Sequence, residues 1–316
     1  MIITSANLAA LNRGFRTVFL DAYHGGGATP YVDTFAMRTQ SMAADELYGW
    51  LGSVPGLREL IGEVQIRNLV DHNFRIVNKE FESTIGVKRA DIERDRFGIY
   101  NPLFQAMGMS ARQHPDELLF NLMMAAFETP CYTGKNFFDA NHEPQAGKTK
   151  FSNKGTKKLS ATNFEIARAN IKSRKNAEGR PMNLGTDLIL VVSPTYEATA
   201  RQILQADFVE KTAKNAAGTE NVGASAITNV NKGTARLAVV PYLAAAEHNW
   251  FLFDLGYPVK PFINQIELDT EFVSLDDPRS EHVLLKKEYL HQAYRRGNVG
   301  LGMPELAYGS TGADAA

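Results

Sequence analysis

Residues 48–92 read YGWLGSVPGLRELIGEVQIRNLVDHNFRIVNKEFESTIGVKRADI, and the second half of this stretch decides the fold. Phe74 and Ile76 flank Arg75, and Phe81, Ile85 and Val87 alternate with Glu80, Glu82, Thr84, Gly86 and Lys88. Period-two alternation marks a half-buried strand. Gly52, Pro55 and Gly56 punctuate the first half as turns. The stretch therefore reads as a long β arm whose tip falls at Gly52–Gly56 or at Asp71–Asn73. An isolated hairpin is marginal in water. Its apolar edge needs a cover, and a neighbouring copy of the same chain would supply one.

On the N-terminal side, Leu8, Leu11, Phe15, Val18 and Phe19 recur at helical spacing over Ser5–Tyr23, with Ser5 or Asn7 as the cap and His24-Gly25-Gly26-Gly27 as the stop. Ala28–Ser41 reads as a connector. Beyond the arm, Leu103, Phe104, Met107 and Met109, then Leu118, Leu119, Leu122, Met123, Ala126 and Phe127, form a helical stripe interrupted at Pro115, which is expected to kink or restart it. Together these turns make a rod of roughly 25 residues, near 40 Å at ~1.5 Å per residue. Residues 129–160 read as a long irregular loop, and Ala161–Lys175 as a helix with Phe164, Ala167 and Ile171 on one side.

DLILVV followed by Ser193-Pro194 and Tyr196–Leu204 is a strand, a turn and a helix, and Lys214–Gly233 reads as a surface excursion. Strands follow at Ala235–Val240 and Asn249–Asp254. A final hairpin has Ile266, Leu268 and Phe272 on one face and Glu267, Asp269 and Glu271 on the other, with a turn at Leu275–Arg279 and a return strand over Glu281–Arg295. Helices and strands are segregated, which indicates an α+β chain.

The 316 residues are 44% hydrophobic and 22% charged with a formal net charge of −1. This balance is ordinary for a globular protein and gives no general affinity for nucleic-acid phosphates. A single cysteine, Cys131, excludes an intrachain disulfide and fits a reducing compartment as a buried structural thiol. No run approaches the ~20 apolar residues of a membrane span. The start, MIITSANLAALNRGF, lacks a basic segment followed by an apolar signal core, so a soluble cytoplasmic protein is expected.

Catalytic motifs begin and then fail. His24-Gly25-Gly26-Gly27 has no Gly-x-Ser-x-Gly elbow to serve. Gly147-Lys148-Thr149 lacks the leading glycine of a phosphate loop, because residue 142 is His142. His142-Glu143 opens like a zinc-protease helix, but Ala146 stands where the second histidine belongs. Asp139, His142 and Glu143 are read as loop hydrogen-bonding groups rather than metal ligands. Glu267, Asp269 and Glu271 form a solvent row, not a catalytic dyad. The basic run Lys148–Lys158 reads as a solvated loop, or else as a contact with DNA or an acidic neighbour.

The blocks YGWLG…LRELIGEVQIRNL, NKEFESTIGVKRADIERDRFGIYNPLFQAMG, HPDELLFNLM and GKNFFDANH follow one another over roughly residues 45–145. They closely resemble the Mu-like phage major head subunit family (the T protein). LILVVSPTYEATARQIL resembles the opening of the axial domain in tailed-phage capsid proteins, and KKEYLHQAYRRGNVGLGMPELAYGSTG resembles a C-terminal block of the same family.

The resemblance implies the HK-ninety-seven-type capsid fold. It maps residues 1–44 to an N-terminal arm, 45–92 to an extended loop, 93–183 to a peripheral domain with a spine helix at 99–127, 184–257 to an axial domain, and 258–316 to the peripheral return strands and C-terminus. Pro115 and the length of loop 129–160 depart from the minimal pattern. The implied function is a non-catalytic, cofactor-free major capsid protein that self-assembles into the icosahedral head of a Mu-like tailed double-stranded DNA phage or prophage. Its partners would be copies of itself in pentamers and hexamers, scaffold, portal, minor or cement proteins, and packaged DNA held by weak non-specific contact, with no membrane. It would be assembled in the host bacterial cytoplasm and reside in the virion.

Expected interface residues are Trp50, Leu57, Ile61, Phe74, Ile76, Phe81 and Ile85 as arm contacts. Arg67, Arg75, Lys79, Lys88 and Arg89 are set to pair with Glu267, Asp269 and Glu271 of a neighbour, and Gly49, Gly52, Gly62 and Gly86 are the expected hinges. The alternatives are an encapsulin-like compartment shell with the same fold and, more distantly, a hydrolytic enzyme.

Overall fold

The computed structural model describes residues 4–25, 30–49, 74–94, 96–143, 150–176, 179–214 and 220–313. The chain divides into two compact units. The first is formed by residues 1–47, 75–119 and 263–300, and the second by 48–74, 120–262 and 301–316.

The first unit is built on a four-stranded sheet that carries two long helices. Its strand order is Ala36–Gln40, Phe262–Leu275, Glu288–Leu301, Lys79–Lys88. The arm's alternating half thus finds a partner within its own chain: Lys79–Lys88 runs antiparallel to Glu288–Leu301, with Val87 opposite Tyr289 and Phe81 opposite Arg295. Along the return strand, Tyr289, His291, Ala293 and Arg295 are buried while the residues between them are partly exposed. Of these, Tyr289 and Ala293 share a core with Leu8, Phe15 and Phe19 of helix Ser5–Gly25 and Phe104 and Met107 of helix Asn101–Ala125. The cap of the first helix is Thr4, whose hydroxyl accepts from Asn7 N–H at 3.2 Å, not Ser5 or Asn7.

Three expectations change in this unit. The connector contains a short helix, Tyr31–Phe35, and a strand, Ala36–Gln40. Residues 281–286 are helical, with Ser280 capping Val283 N–H, so the return strand begins at Glu288. Helix Asn101–Ala125 runs unbroken through Pro115. Proline in a helix interior costs ~3 kcal/mol. The apolar stripe continues on both sides of it, and polar ties hold the flanking turns: Arg112 donates to the carbonyls of Tyr23 and His24, and Asp116 accepts from Val32 N–H at 2.7 Å.

Gly108 sets how closely the two helices cross. A Cβ there would lie 2.4 Å from the Phe19 carbonyl oxygen and 2.9 Å from Ala22 Cβ. Glycine to alanine inside a helix normally gains ~1 kcal/mol. Here the clash is with backbone, which cannot turn aside. Gly108→Ala is therefore expected to destabilise the first unit by about 1–3 kcal/mol, read by chemical denaturation; a stabilised variant would refute the close crossing.

The second unit is built on a five-stranded sheet of order Lys154–Gly155, Ala307–Ser310, Trp250–Asp254, Leu188–Val192, Arg236–Val239. Leu188–Val192 and Trp250–Asp254 are buried along their whole length and pair antiparallel. Leu188–Val192 also pairs in parallel with Arg236–Val239, a crossover connection that includes helix Glu197–Gln205. Helix Ala161–Lys172 buries Phe164, Ala167 and Ile171 as its spacing indicated. The surface excursion is in part an antiparallel hairpin, Phe208–Lys214 with Glu220–Thr228. Residues 120–183 group with 184–257 rather than with the first unit, because strand Lys154–Gly155 joins the second sheet through Ala307–Ser310.

Candidate assembly surfaces

Strands Asp45–Leu47 and Arg75–Val77 form a short antiparallel ladder, and Tyr48 N–H donates to the Phe74 carbonyl at 2.9 Å. The two ends of segment 49–73 are thus held side by side. Trp50, Leu57, Ile61, Arg67, Gly52 and Gly62 lie outside the described residues.

The apolar arm residues that are described turn towards their own unit. Ile76 is 4% exposed, and its side chain fills the space over Gly300, where a Cβ would come within 2.1 Å of Ile76 Cδ1. Phe81 packs edge-on against His114 with ring centroids 4.3 Å apart, and Ile85 joins the core. Ile76 is therefore buried within its own unit, while Phe81 and Ile85 are partly buried there. Phe81 and Ile85 lie on a strand paired within the chain, and Ile76 lies on the short ladder with Asp45–Leu47. Phe74 is half-buried beside Tyr48, and Gly49 lies in a turn. Gly86 sits mid-strand opposite Leu290, where a Cβ would strike the Glu288 carboxylate, so the ladder holds its backbone rather than hinging it.

Four of the expected charges also have partners within the chain. Arg75 pairs with Asp45 at 2.8 Å, Arg89 with Glu93 at 3.0 Å, Asp269 with Arg38 at 2.8 Å and Glu267 with Arg296 at 2.9 Å. Such exposed pairs are worth ~0–1 kcal/mol each. Lys79, Lys88 and Glu271 are exposed and have no ion-pair partner among the described residues, which leaves them as the charges free to meet another surface.

The described parts of loop 129–160 are fastened by hydrogen bonds. His142 is fully buried, its Nε2 bonded to the Phe137 carbonyl at 3.1 Å and its Nδ1 to Thr133 Oγ1 at 3.0 Å, while burial lowers its pKa. Asn153 donates to the carbonyls of Phe137 and Pro304. Burial raises the Cys131 thiol to about 11, the state of a structural rather than a reactive cysteine. Among the described residues no group of three His, Cys, Asp or Glu side chains gathers to hold a metal, and no helix is long and apolar enough to cross a membrane.

Sequence reasoning missed the buried polar groups. His291 and Arg295 occupy inward positions of the return strand, and Arg174 and Glu305 are buried in the second unit. The parity of Glu288–Leu301 carries a signal for the first two, since both share a face with Tyr289 and Ala293. Arg174 and Glu305 have no such local signal.

A long-stranded sheet over a 25-residue helix, joined to a second sheet unit, is the architecture of the HK-ninety-seven-type phage capsid proteins. The subunit in the procapsid of bacteriophage JBD30 matches with a TM-score of 0.59 and 29% identity, covering 98% of this chain and 76% of that one. The Mu-like prophage major head subunit gpT family matches residues 8–157, 150–243 and 242–314, and the chain belongs to that family. The major capsid protein of Escherichia phage Mu is 43% identical over 144 residues, which is 45% of this chain and 46% of the relative. The Mu-like prophage FluMu major head subunit of Haemophilus influenzae is 33% identical over 168 residues, 53% of this chain and 54% of the relative. The chain thus spans about half the length of the curated relatives it matches.

Proposed function

We propose that this chain is the major capsid protein of a Mu-like tailed double-stranded DNA phage or prophage, self-assembling into an icosahedral head. The observation that carries this reading is the family match along nearly the whole chain, together with the likeness to a procapsid subunit. A shell subunit needs several modest contact surfaces and no dominant pocket. Heterologous contacts that close by rotation give the pentamers and hexamers. Scaffold, portal and minor or cement proteins are the further partners, with DNA inside and assembly in the host cytoplasm.

In this reading segment 45–92 is the extended loop, 1–44 the N-terminal arm, 184–257 the axial domain, and 93–183 with 258–316 the peripheral domain. The ladder at Asp45–Leu47 and Arg75–Val77 supports a loop leaving from a fixed neck. Because Ile76 and Lys79–Lys88 belong to the folded unit, a test of the loop must spare them. Deleting residues 52–72 is expected to leave a folded subunit that forms no closed shells by negative-stain microscopy, whereas the full chain forms uniform ones. Normal particles from the deletion would overturn the loop assignment. A full chain that stays monomeric under all assembly conditions would overturn the shell reading.

A further inference from the structure

The first unit holds a buried charge that the described residues satisfy only in part. Arg295 is 5% exposed on the helix-facing side of its strand. Its Nη2 donates to Asn264 Oδ1 at 3.1 Å, a neutral acceptor, and its buried Nη1 has no partner among the described residues. A guanidinium carries five N–H donors and keeps its charge, and buried ions are ordinarily paired. The carboxylate within electrostatic reach, Asp269, is occupied by Tyr23 at 3.1 Å and Arg38 at 2.8 Å.

Arg295 borders a cavity of about 170 Å³ whose lining includes Phe81, Ser83, Ser110, His114 and Thr270. One water takes ~30 Å³ of liquid volume, so there is room for a carboxylate or a tetrahedral oxyanion. Ser83 and Ser110 are exposed, which puts them at the mouth, and their hydroxyls have no hydrogen-bond partner among the described residues. The acid on the lining, Glu82, is exposed and accepts from Thr84 and Gln292. Burial first, and the Arg295 charge second, lower the pKa of His114. An anion beside Arg295 would cancel that second effect.

We propose that this cavity is an oxyanion site, with Arg295 supplying the charge and Ser83 and Ser110 the hydroxyl donors, for an inorganic phosphate or a carboxylate group. The group comes either from solution or from an acidic side chain of a second copy. The test uses the unassembled full chain, titrated with inorganic phosphate or acetate against sodium chloride of equal ionic strength. Thermal unfolding and the His114 ring resonances are the readouts. Phosphate is expected to raise both Tm and the His114 pKa of the unaltered chain, Arg295→Met to abolish both responses, and Ser110→Ala to weaken binding several-fold without loss of fold. If a second copy's carboxylate is the natural occupant, phosphate also inhibits assembly more than chloride does, and Arg295→Met assembly is indifferent to it. If the occupant is a solution anion, phosphate binds but leaves assembly unchanged. No anion-specific change in either Tm or the His114 titration would overturn the proposal, and so would a Ser110→Ala response equal to that of the unaltered chain.

Discussion

Glu305→Leu is expected to cost the second unit about 3–5 kcal/mol, and Arg174→Met distinctly less, while the double variant recovers most of the larger loss. Both side chains are 3% exposed. Glu305 accepts a hydrogen bond from the Tyr132 hydroxyl, and its Oε2 is unpartnered among the described residues. Arg174 stacks 4.3 Å over the Phe151 ring and donates to the Ser152 carbonyl at 3.1 Å and to Asn170 Oδ1.

The two charges act on each other through the low-dielectric interior rather than as a contact pair. Burial raises the Glu305 carboxyl and Arg174 counters it; burial lowers Arg174 to about 10 and Glu305 counters that. The asymmetry follows from their chemistry. Without Arg174, Glu305 takes up a proton and becomes neutral, a cheap escape for a buried acid. Without Glu305, the guanidinium has no equivalent escape and stays charged in the core. A double-mutant cycle by urea unfolding measures the coupling. A Glu305→Leu variant as stable as the unaltered chain would refute it.

Much of the fold was legible because it rests on local periodicity. The rod at Asn101–Ala125, the strands Leu188–Val192 and Trp250–Asp254, and the inward triad Phe164, Ala167 and Ile171 all follow from spacing within one element. The misses are of another kind. Pro115 is a local stop signal overridden by packing and by the ties from Arg112 and Asp116. Phe81 and Ile85 announced an apolar face, but the sheet that receives it depends on a strand some two hundred residues later. Hydropathy reads Arg295 and His291 as solvent-facing, whereas ladder parity turns them inward. Arg174 and Glu305 act on each other only in the tertiary structure, so neither position carries a signal in its own neighbourhood.

His291 makes the first unit acid-sensitive. The ring is 1% exposed, edge-on to Phe15 and Phe104 and stacked on Phe272, with Nδ1 bonded to Ser274 Oγ at 2.9 Å. Helix Ser5–Gly25, helix Asn101–Ala125 and strand Phe262–Leu275 thus all press on it with aromatic rings, and Ile85 faces it across the ladder. Burial lowers its pKa to about 4, and the one opposing charge, Asp276, is engaged by Asn12.

The sign follows from the depressed value. In the unfolded chain the imidazole titrates near ~6.5. Between about 6.5 and about 4 the unfolded chain binds a proton that the folded unit refuses. Stability attributable to His291 is therefore complete above that window, falls as pH drops through it, and is gone below it. The full loss is about 3 kcal/mol at ~1.4 kcal/mol per tenfold change. His291→Leu is expected to lie about 1 kcal/mol below the unaltered chain at pH 7, because Ser274 loses its partner, and to lie above it by pH 4, so the two curves cross. Urea unfolding of the unassembled subunit at half-unit pH steps reads the difference, which cancels the other titrating groups. Parallel curves across the window would show that His291 does not set the acid limit.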